Sequence, residues 1–331
     1  MTVFHPIILD WFTQRYGEPT DIQSQSWPRI AGRENLLITA PTGSGKTLTA
    51  FLWTLNRFFT GDLASGSTRV LYISPLKALN NDIQRNLLLP LAELKDAFIA
   101  AGESVPDIKV QVRSGDTDPD DRRRMIRHPP EILITTPESL NLLLSSHGGR
   151  SLLYDIDTLI LDEIHGVVDA KRGAYLMSAV ERLVPLSGEF QRIALSATIN
   201  PLEQVADYVA GFERMGDTYK KRSINILQST VQKHYDIRIR YPEKAANRGS
   251  DEKIWDYLAE DILPRIQQNT STLVFVNSRA LCEKLTFKLN TAAGQTVAYA
   301  HHGSLSREIR SEVESRLKAG QLKAKIGRAH V

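Results

Sequence analysis

Leu36-Leu37-Ile38-Thr39-Ala40-Pro41-Thr42-Gly43-Ser44-Gly45-Lys46-Thr47 is an apolar run that ends in a glycine-punctuated turn, and a helical pattern follows from Lys46 to Phe58. A strand feeding such a turn and then a helix aims backbone N–H groups and the positive end of the helix at phosphate oxygens. In that context Thr42, Gly43, Ser44 and Gly45 form the cradle. Lys46 reaches the β/γ-phosphates, and Thr47 offers a hydroxyl to Mg²⁺. Position 40 is Ala where the generic pattern has Gly. A turn with no ligand is the plain alternative; the strand-to-helix context disfavours it.

Around this loop the chain alternates apolar runs with helical patterns. Strands are expected at Leu36–Thr39, Val70–Ser74, Lys109–Arg113, Ile132–Thr135, Thr158–Leu161 and Arg192–Ser196. Several are continuous hydrophobic runs, as in parallel strands covered on both faces. Helices are expected between them, among them Lys77–Leu87, Asp120–Arg127, Pro137–Ser145, Tyr175–Leu183 and Leu202–Phe212. The fold class is α/β, an open parallel sheet with right-handed crossovers, and ligands bind such sheets outside the carboxyl ends of the strands. Phe4, Ile8, Trp11 and Phe12 recur at helical spacing and predict an amphipathic lead-in helix. A second helix is expected from Thr20, with Gln23 at capping-box spacing; the Gln23 amide could instead read an adenine edge.

The pattern lapses between Gly211 and Lys233, which reads as a connection. Lys233–Pro242 then alternates like a strand, and Asp251–Ile266 reads as a helix with Ser250 as N-cap. A second strand–helix series follows: Thr272–Val276, Leu281–Leu289, Val297–Ala300 and Ser306–Leu317. The expected organisation is 1–213 as a first domain, 214–233 as a linker and 234–331 as an incomplete second domain. After Ala324 a further buried strand is due, yet Lys325–Val331 is half polar, so these residues are expected not to continue the native chain.

Of 331 residues, 42% are hydrophobic and 24% charged, ordinary for a globular α/β protein. One cysteine, Cys282, excludes an internal disulfide and fits a reducing compartment. No run approaches the roughly 18 apolar residues of a membrane span. The expected location is cytoplasmic, with no membrane partner. Residues 216–331 carry 20 Lys and Arg against 12 Asp and Glu, while the net charge of the chain is only +3. A basic second part suits a nucleic-acid backbone, and solvated helix faces explain it about as well.

Leu159-Ile160-Leu161-Asp162-Glu163-Ile164-His165 places two carboxylates at the end of a buried strand. Beside a phosphate loop, Asp162 can hold the Mg²⁺ shell and Glu163 can orient or deprotonate water. Adjacent strand residues face opposite ways, so the two can serve different ends. His165 could be a satisfied core or surface histidine, yet beside the carboxylates it could link them to a neighbouring strand. Ser196 and Thr198 end the next strand, where hydroxyls more often cap a turn. Pro75 and Lys77, Gly115, and Thr136 and Pro137 lie in loops at strand carboxyl ends, where phosphodiester contacts are made; ordinary capped loops fit equally. The Arg122-Arg123-Arg124 run reads as a solvated helix face. Asn277, Arg279 and His302 occupy corresponding strand ends in the second series, and the His301–His302 pair lacks metal-ligand spacing.

In order, these strings resemble the motifs of superfamily 2 helicases of the DEAD/DEAH group. Pro19–Gln23 resembles the adenine-reading Q motif, and Ala40–Thr47 resembles motif I, whose family form also begins with Ala. Ser74–Leu79 resembles motif Ia, with Lys77 where many members have Arg, and Gly115 with Thr136-Pro137 the Ib-type contacts. Asp162–His165 is similar to motif II in its DEIH form and Ser196–Thr198 to motif III. Phe275–Arg279 and His301–Gly303 are similar to motif IV and its neighbour. Lys171–Ala174 after DEIH, Thr136–Leu140 and His301–Leu305 narrow the resemblance to the Lhr (large helicase-related) family.

The resemblance implies two RecA-like P-loop NTPase domains that close on ATP and Mg²⁺, with Gln23 as an adenine contact. It implies ATP-driven movement along single-stranded nucleic acid, DNA in the 3′-to-5′ direction, with unwinding. An ATPase that remodels RNA or ribonucleoprotein is the alternative, and a non-catalytic nucleic-acid-binding module is a third reading of a different class. The family's motifs V and VI, which carry its arginine fingers, do not occur before Val331. These 331 residues are therefore expected to be a fragment with impaired turnover.

Overall fold

A computed structural model describes residues 3–75, 83–197, 199–230, 236–242 and 253–328. Residues 77–82 of the expected Lys77–Leu87 helix, Lys77 among them, the Ser250 cap and Thr198 fall outside those residues, while 83–87 are helical. The chain divides into two compact units, Met1–His234 and Tyr235–Val331.

In the first unit, helices α1 (Pro6–Tyr16) and α2 (Asp21–Ala31) lead into strand β1 (Leu36–Thr39) and helix α3 (Lys46–Phe59). Next come β2 (Val70–Ile73), a π-helical turn Gln84–Leu88 continuing into α4 (Leu89–Ala100), β3 (Val110–Arg113) and α5 (Pro119–Arg127). Then follow β4 (Ile132–Thr135), α6 (Pro137–Leu144), α7 (His147–Ser151), β5 (Thr158–Leu161), α8 (Lys171–Ser187), β6 (Gln191–Ser196) and α9 (Leu202–Ala210). A hairpin, β7 (Phe212–Met215) with β8 (Thr218–Lys221), precedes β9 (Asn225–Gln228).

Seven parallel strands run in the order β3-β4-β2-β5-β6-β1-β9. Alternate residues of each strand feed two cores. Leu36, Ile38, Val70, Tyr72, Ile160 and Ile193 join α1, α2, α3 and α4 on one face. Leu37, Leu71, Leu159, Leu161 and Ala194 join α6, α8 and α9 on the other. Burial on both faces is why these strands read as continuous apolar runs. The lead-in helix buries Ile8 and Phe12 and half-buries Trp11, with Phe4 buried just before its start.

Two expectations need correction. The stretch read as a connection folds: β9 pairs with β1 across Leu36↔Asn225 to Thr39↔Gln228. As a short edge strand with one buried residue, Leu227, it has little apolar signature. Residues 236–242 of the expected Lys233–Pro242 strand are irregular, with Ile237 and Ile239 exposed; alternation alone does not make a strand without a pairing edge. Where a further buried strand was due, Ala324–Arg328 form one.

In the second unit, α10 (Ile254–Gln268), β10 (Thr272–Val276), α11 (Arg279–Ala293), β11 (Ala298–His301), α12 (Arg307–Lys318) and β12 (Ala324–Arg328) alternate. The last strand is central in a parallel sheet ordered β10-β12-β11. Its half-polar look is a period-two pattern that buries Ala324 and Ile326.

Candidate active site

β1, β6 and β5 are adjacent strands, so the loops at their carboxyl ends form one surface of the first unit. The loop after β1 turns through Gly43 (φ 86°) and Gly45 (φ 85°), both in the left-handed region. Gly45 answers a second need as well, since a Cβ there would sit 2.6 Å from Gln23 Nε2. Lys46 Nζ donates to the loop's own carbonyls, Ala40 O and, at 3.0 Å, Pro41 O.

The Gln23 side chain is buried, and its Oε1 accepts from Thr20 N at 2.9 Å, the cap that its spacing predicts. That bond turns Nε2 toward Gly45, while Thr20 Oγ1 donates to Ser44 O at 3.1 Å. Trp27 Nε1 donates to Thr49 O at 3.1 Å and pins α2 onto α3. The cap thus uses only the Oε1 end of the amide, and Nε2 lies beside Gly45.

Asp162 and Glu163 stand just beyond β5, not within it. Glu163 adopts φ 52° and ψ 39°, left-handed and unusual for a non-glycine residue. This backbone reversal, rather than strand alternation, separates the two carboxylates. Asp162 Oδ1 accepts from Glu163 N at 2.8 Å. Its Oδ2 accepts from the Tyr72 hydroxyl and lies 3.5 Å from Thr47 Oγ1. A hydroxyl and a carboxylate oxygen converging at the foot of a phosphate loop fit the small protein share of a Mg²⁺ shell, the remainder being waters and substrate oxygens.

His165 bridges outward. Its Nε2 is 3.3 Å from Glu163 Oε2, and its Nδ1 is 3.4 Å from both Ser196 Oγ and Ala197 N. Acidic pair, histidine and the end of β6 therefore form one chain of contacts.

A cavity of about 520 Å³ opens over the loop, lined by Gln23, Thr42–Thr47 and Glu163. Arg15, Tyr16, Arg85 and Asn86 line it too, and sequence reasoning missed all four. Tyr16 and Arg15 end α1 just upstream of the Gln23 stretch, a legible cue. Arg85 and Asn86 arrive through the π-helical turn, which no residue pattern announces.

The remaining sites are scattered. Pro75 is buried and Gly115 exposed. Arg123 and Arg124 are exposed, as a solvated face predicts, while half-buried Arg122 donates to Thr117 O and Gly115 O, each at 2.8 Å, and holds that loop. Thr136 is largely buried, its Oγ1 accepting from Ser139 N at 3.4 Å, with Pro137 in the first turn of α6. In the second unit Asn277 and Arg279 are exposed, and Arg279 Nη1 donates to Ser304 Oγ at 2.7 Å. His302 is instead 9% exposed, its Nε2 2.7 Å from Glu283 Oε1, so the ring is turned to α11 rather than presented to a ligand. Among the described residues no His, Cys, Asp and Glu group forms a metal-holding cluster, and no helix is long and apolar enough to cross a membrane.

Residues 20–206 match the family described as DEAD/DEAH box helicase. The chain is 37% identical to the Lhr helicase/uracil glycosylase of Escherichia coli over 98% of its own length and 24% of that protein's. It is 38% identical to the ATP-dependent helicase Lhr-Core of Saccharolobus solfataricus, covering 98% of the chain and 37% of that protein. The solved structure of Mycobacterium smegmatis helicase Lhr bound to ssDNA and AMP-PNP superposes with a TM-score of 0.82 at 40% identity, over 98% of this chain and 41% of that one. The chain thus spans between a quarter and two fifths of the length of these relatives.

Proposed function

The chain belongs to the DEAD/DEAH box helicase family, and from that membership we propose that it carries the ATP-hydrolysing part of a helicase that moves 3′ to 5′ on single-stranded DNA. The observation that carries this reading is the convergence of Thr47, Asp162, Glu163, His165 and Ser196 on adjacent strand ends beneath one phosphate loop. Relatives at 37–40% identity are named helicases, and one is bound to ssDNA and AMP-PNP.

In this reading the loop N–H groups and Lys46 hold the β/γ-phosphates, and Gln23 Nε2 faces the base side of the cavity. Thr47 and Asp162 would hold Mg²⁺, which when bound neutralises charge on the transferring phosphoryl group. Glu163 orients the attacking water and takes its proton. His165 passes the state of Glu163 to Ser196 and the neighbouring Thr198. Pro75, Lys77, Gly115, Thr136, Pro137, Asn277 and Arg279 serve the nucleic-acid strand through phosphate contacts. His302 supports that surface through Glu283.

Two substitutions test the roles. Lys46→Ala should lose nucleotide binding. Glu163→Gln should bind ATP as the parent does, with hydrolysis reduced about 10²-fold or more. Parental turnover in Glu163→Gln would overturn the assignment. Strand displacement from 3′-tailed and 5′-tailed duplexes of DNA and RNA tests direction and substrate, a preference for RNA favouring the remodelling alternative.

A further inference from the structure

Tyr72 is the one polar side chain of β2, the strand Val70-Leu71-Tyr72-Ile73, and it is 0% exposed. A phenol is normally buried only where its hydroxyl meets a partner, because an unmet hydroxyl costs about 1–3 kcal/mol. The partner here is Asp162. Tyr72 pairs in register with Ile160 on β5, so the residue two further along that strand direction is Asp162, on the same face. The hydroxyl donates to Asp162 Oδ2, the oxygen that lies 3.5 Å from Thr47 Oγ1.

The ring is held as firmly as the hydroxyl. It stacks on Phe51 with centroids 5.0 Å apart and planes at 27°. Phe51 lies on α3 four residues after Thr47, one turn along the same helix face. One aromatic pair therefore ties the helix that carries Thr47 to the carboxylate that Thr47 approaches. A phenol suits the task, since it fixes the carboxylate's rotation without bringing a charged group of its own.

We propose that Tyr72 is a positioning residue for the Mg²⁺ that accompanies the nucleotide: its hydroxyl, braced by Phe51, holds Asp162 in the rotamer that faces Thr47. The inference rests on the assignment of Asp162 to the Mg²⁺ shell. Outer partners of metal-binding groups set their orientation, and their loss commonly costs 10–100-fold in metal affinity.

The test is Tyr72→Phe, which keeps the ring and its stack. Binding of a fluorescent non-hydrolysable ATP analogue is titrated with Mg²⁺, and again in EDTA, with thermal melting alongside. Expected is a rise of about tenfold in the Mg²⁺ needed for half-maximal binding, with parental affinity in EDTA and a parental melting point. A merely structural role would move melting and EDTA binding instead. Asp162→Asn separates the two levels: a parental Mg²⁺ dependence there overturns the assignment of Asp162. Loss of that dependence in Asp162→Asn together with parental behaviour in Tyr72→Phe overturns the role of Tyr72 alone. Should Tyr72→Phe not fold, Phe51→Leu must raise the Mg²⁺ requirement about two- to threefold, an order-of-magnitude expectation for a loosened outer partner; a parental requirement overturns the proposal. No nucleotide binding by the parent chain overturns both.

Discussion

Gly45 shows how much one position can carry. Its φ of 85° excludes a side chain on backbone grounds, and Gln23 Nε2 excludes one on steric grounds. Gly45→Ala is expected to cost about 1–2 kcal/mol and to displace the Gln23 amide. Thermal melting and ATP titration check it: melting should fall and nucleotide affinity drop severalfold, and parental affinity would deny any coupling between the two stretches. Glu163 is the converse case, a non-glycine residue kept left-handed where its carboxylate meets His165. Strain of this kind gathers where function over-determines the backbone. The Gly-Ser-Gly-Lys-Thr string and the acidic pair were legible as residues. The pairing of Tyr72 with Asp162 was not, because it depends on strand order, which no local pattern encodes.

Between elements, the sheet holds the helix of the phosphate loop at its far end. Asp157, just before β5, accepts from Arg57 in the last turn of α3, from Arg33 at 2.6 Å and from Thr158 Oγ1 at 2.8 Å. Burial pushes the Asp157 carboxyl up, but hydrogen bonds from Arg57, Thr158 and Arg33 outweigh it and hold it below its ordinary 3.8. A carboxyl lowered on folding stabilises fully above its unfolded value, and that stability fades as pH falls through the folded value. Asp157→Asn should therefore cost about 1–3 kcal/mol at pH 7, with the deficit to the parent shrinking below about pH 4. Chemical denaturation across that range measures it; a pH-independent deficit would assign the loss to packing. Arg192 plays a similar part for α9. Fully buried, it donates from Nη1 to Glu181 Oε1 at 2.8 Å and to the carbonyls of Val209 and Ala210. Burial pushes its pKa down, against Glu181. The Asp157 cluster joins arginines at least 100 residues away and the Arg192 cluster residues 11 to 18 apart, and neither follows a helical or strand spacing that would betray it.

At the scale of the whole molecule, two units carry separate cores, one around the seven-stranded sheet and one around Leu285, Leu289, Ala324 and Ile326. Scanning calorimetry is expected to resolve two transitions. Asp157→Asn should lower one, and Ile326→Ala, at about 2–5 kcal/mol for a fully buried isoleucine, the other. A single transition lowered by both substitutions would contradict independent cores. The chain's own residues determined the fold class, the phosphate loop and the acidic strand end. These follow from local periodicity and from chemistry at fixed spacing, which act over a few residues. Tertiary structure decided the rest: that 225–228 pairs with β1, that 324–328 is the central strand of its sheet, that Arg85 and Asn86 reach the cavity, and that Tyr72 meets Asp162. The strand pairings and the meeting of Tyr72 with Asp162 depend on which strand lies beside which, and the π-helical turn on how its helix packs; both are settled among elements distant in the chain.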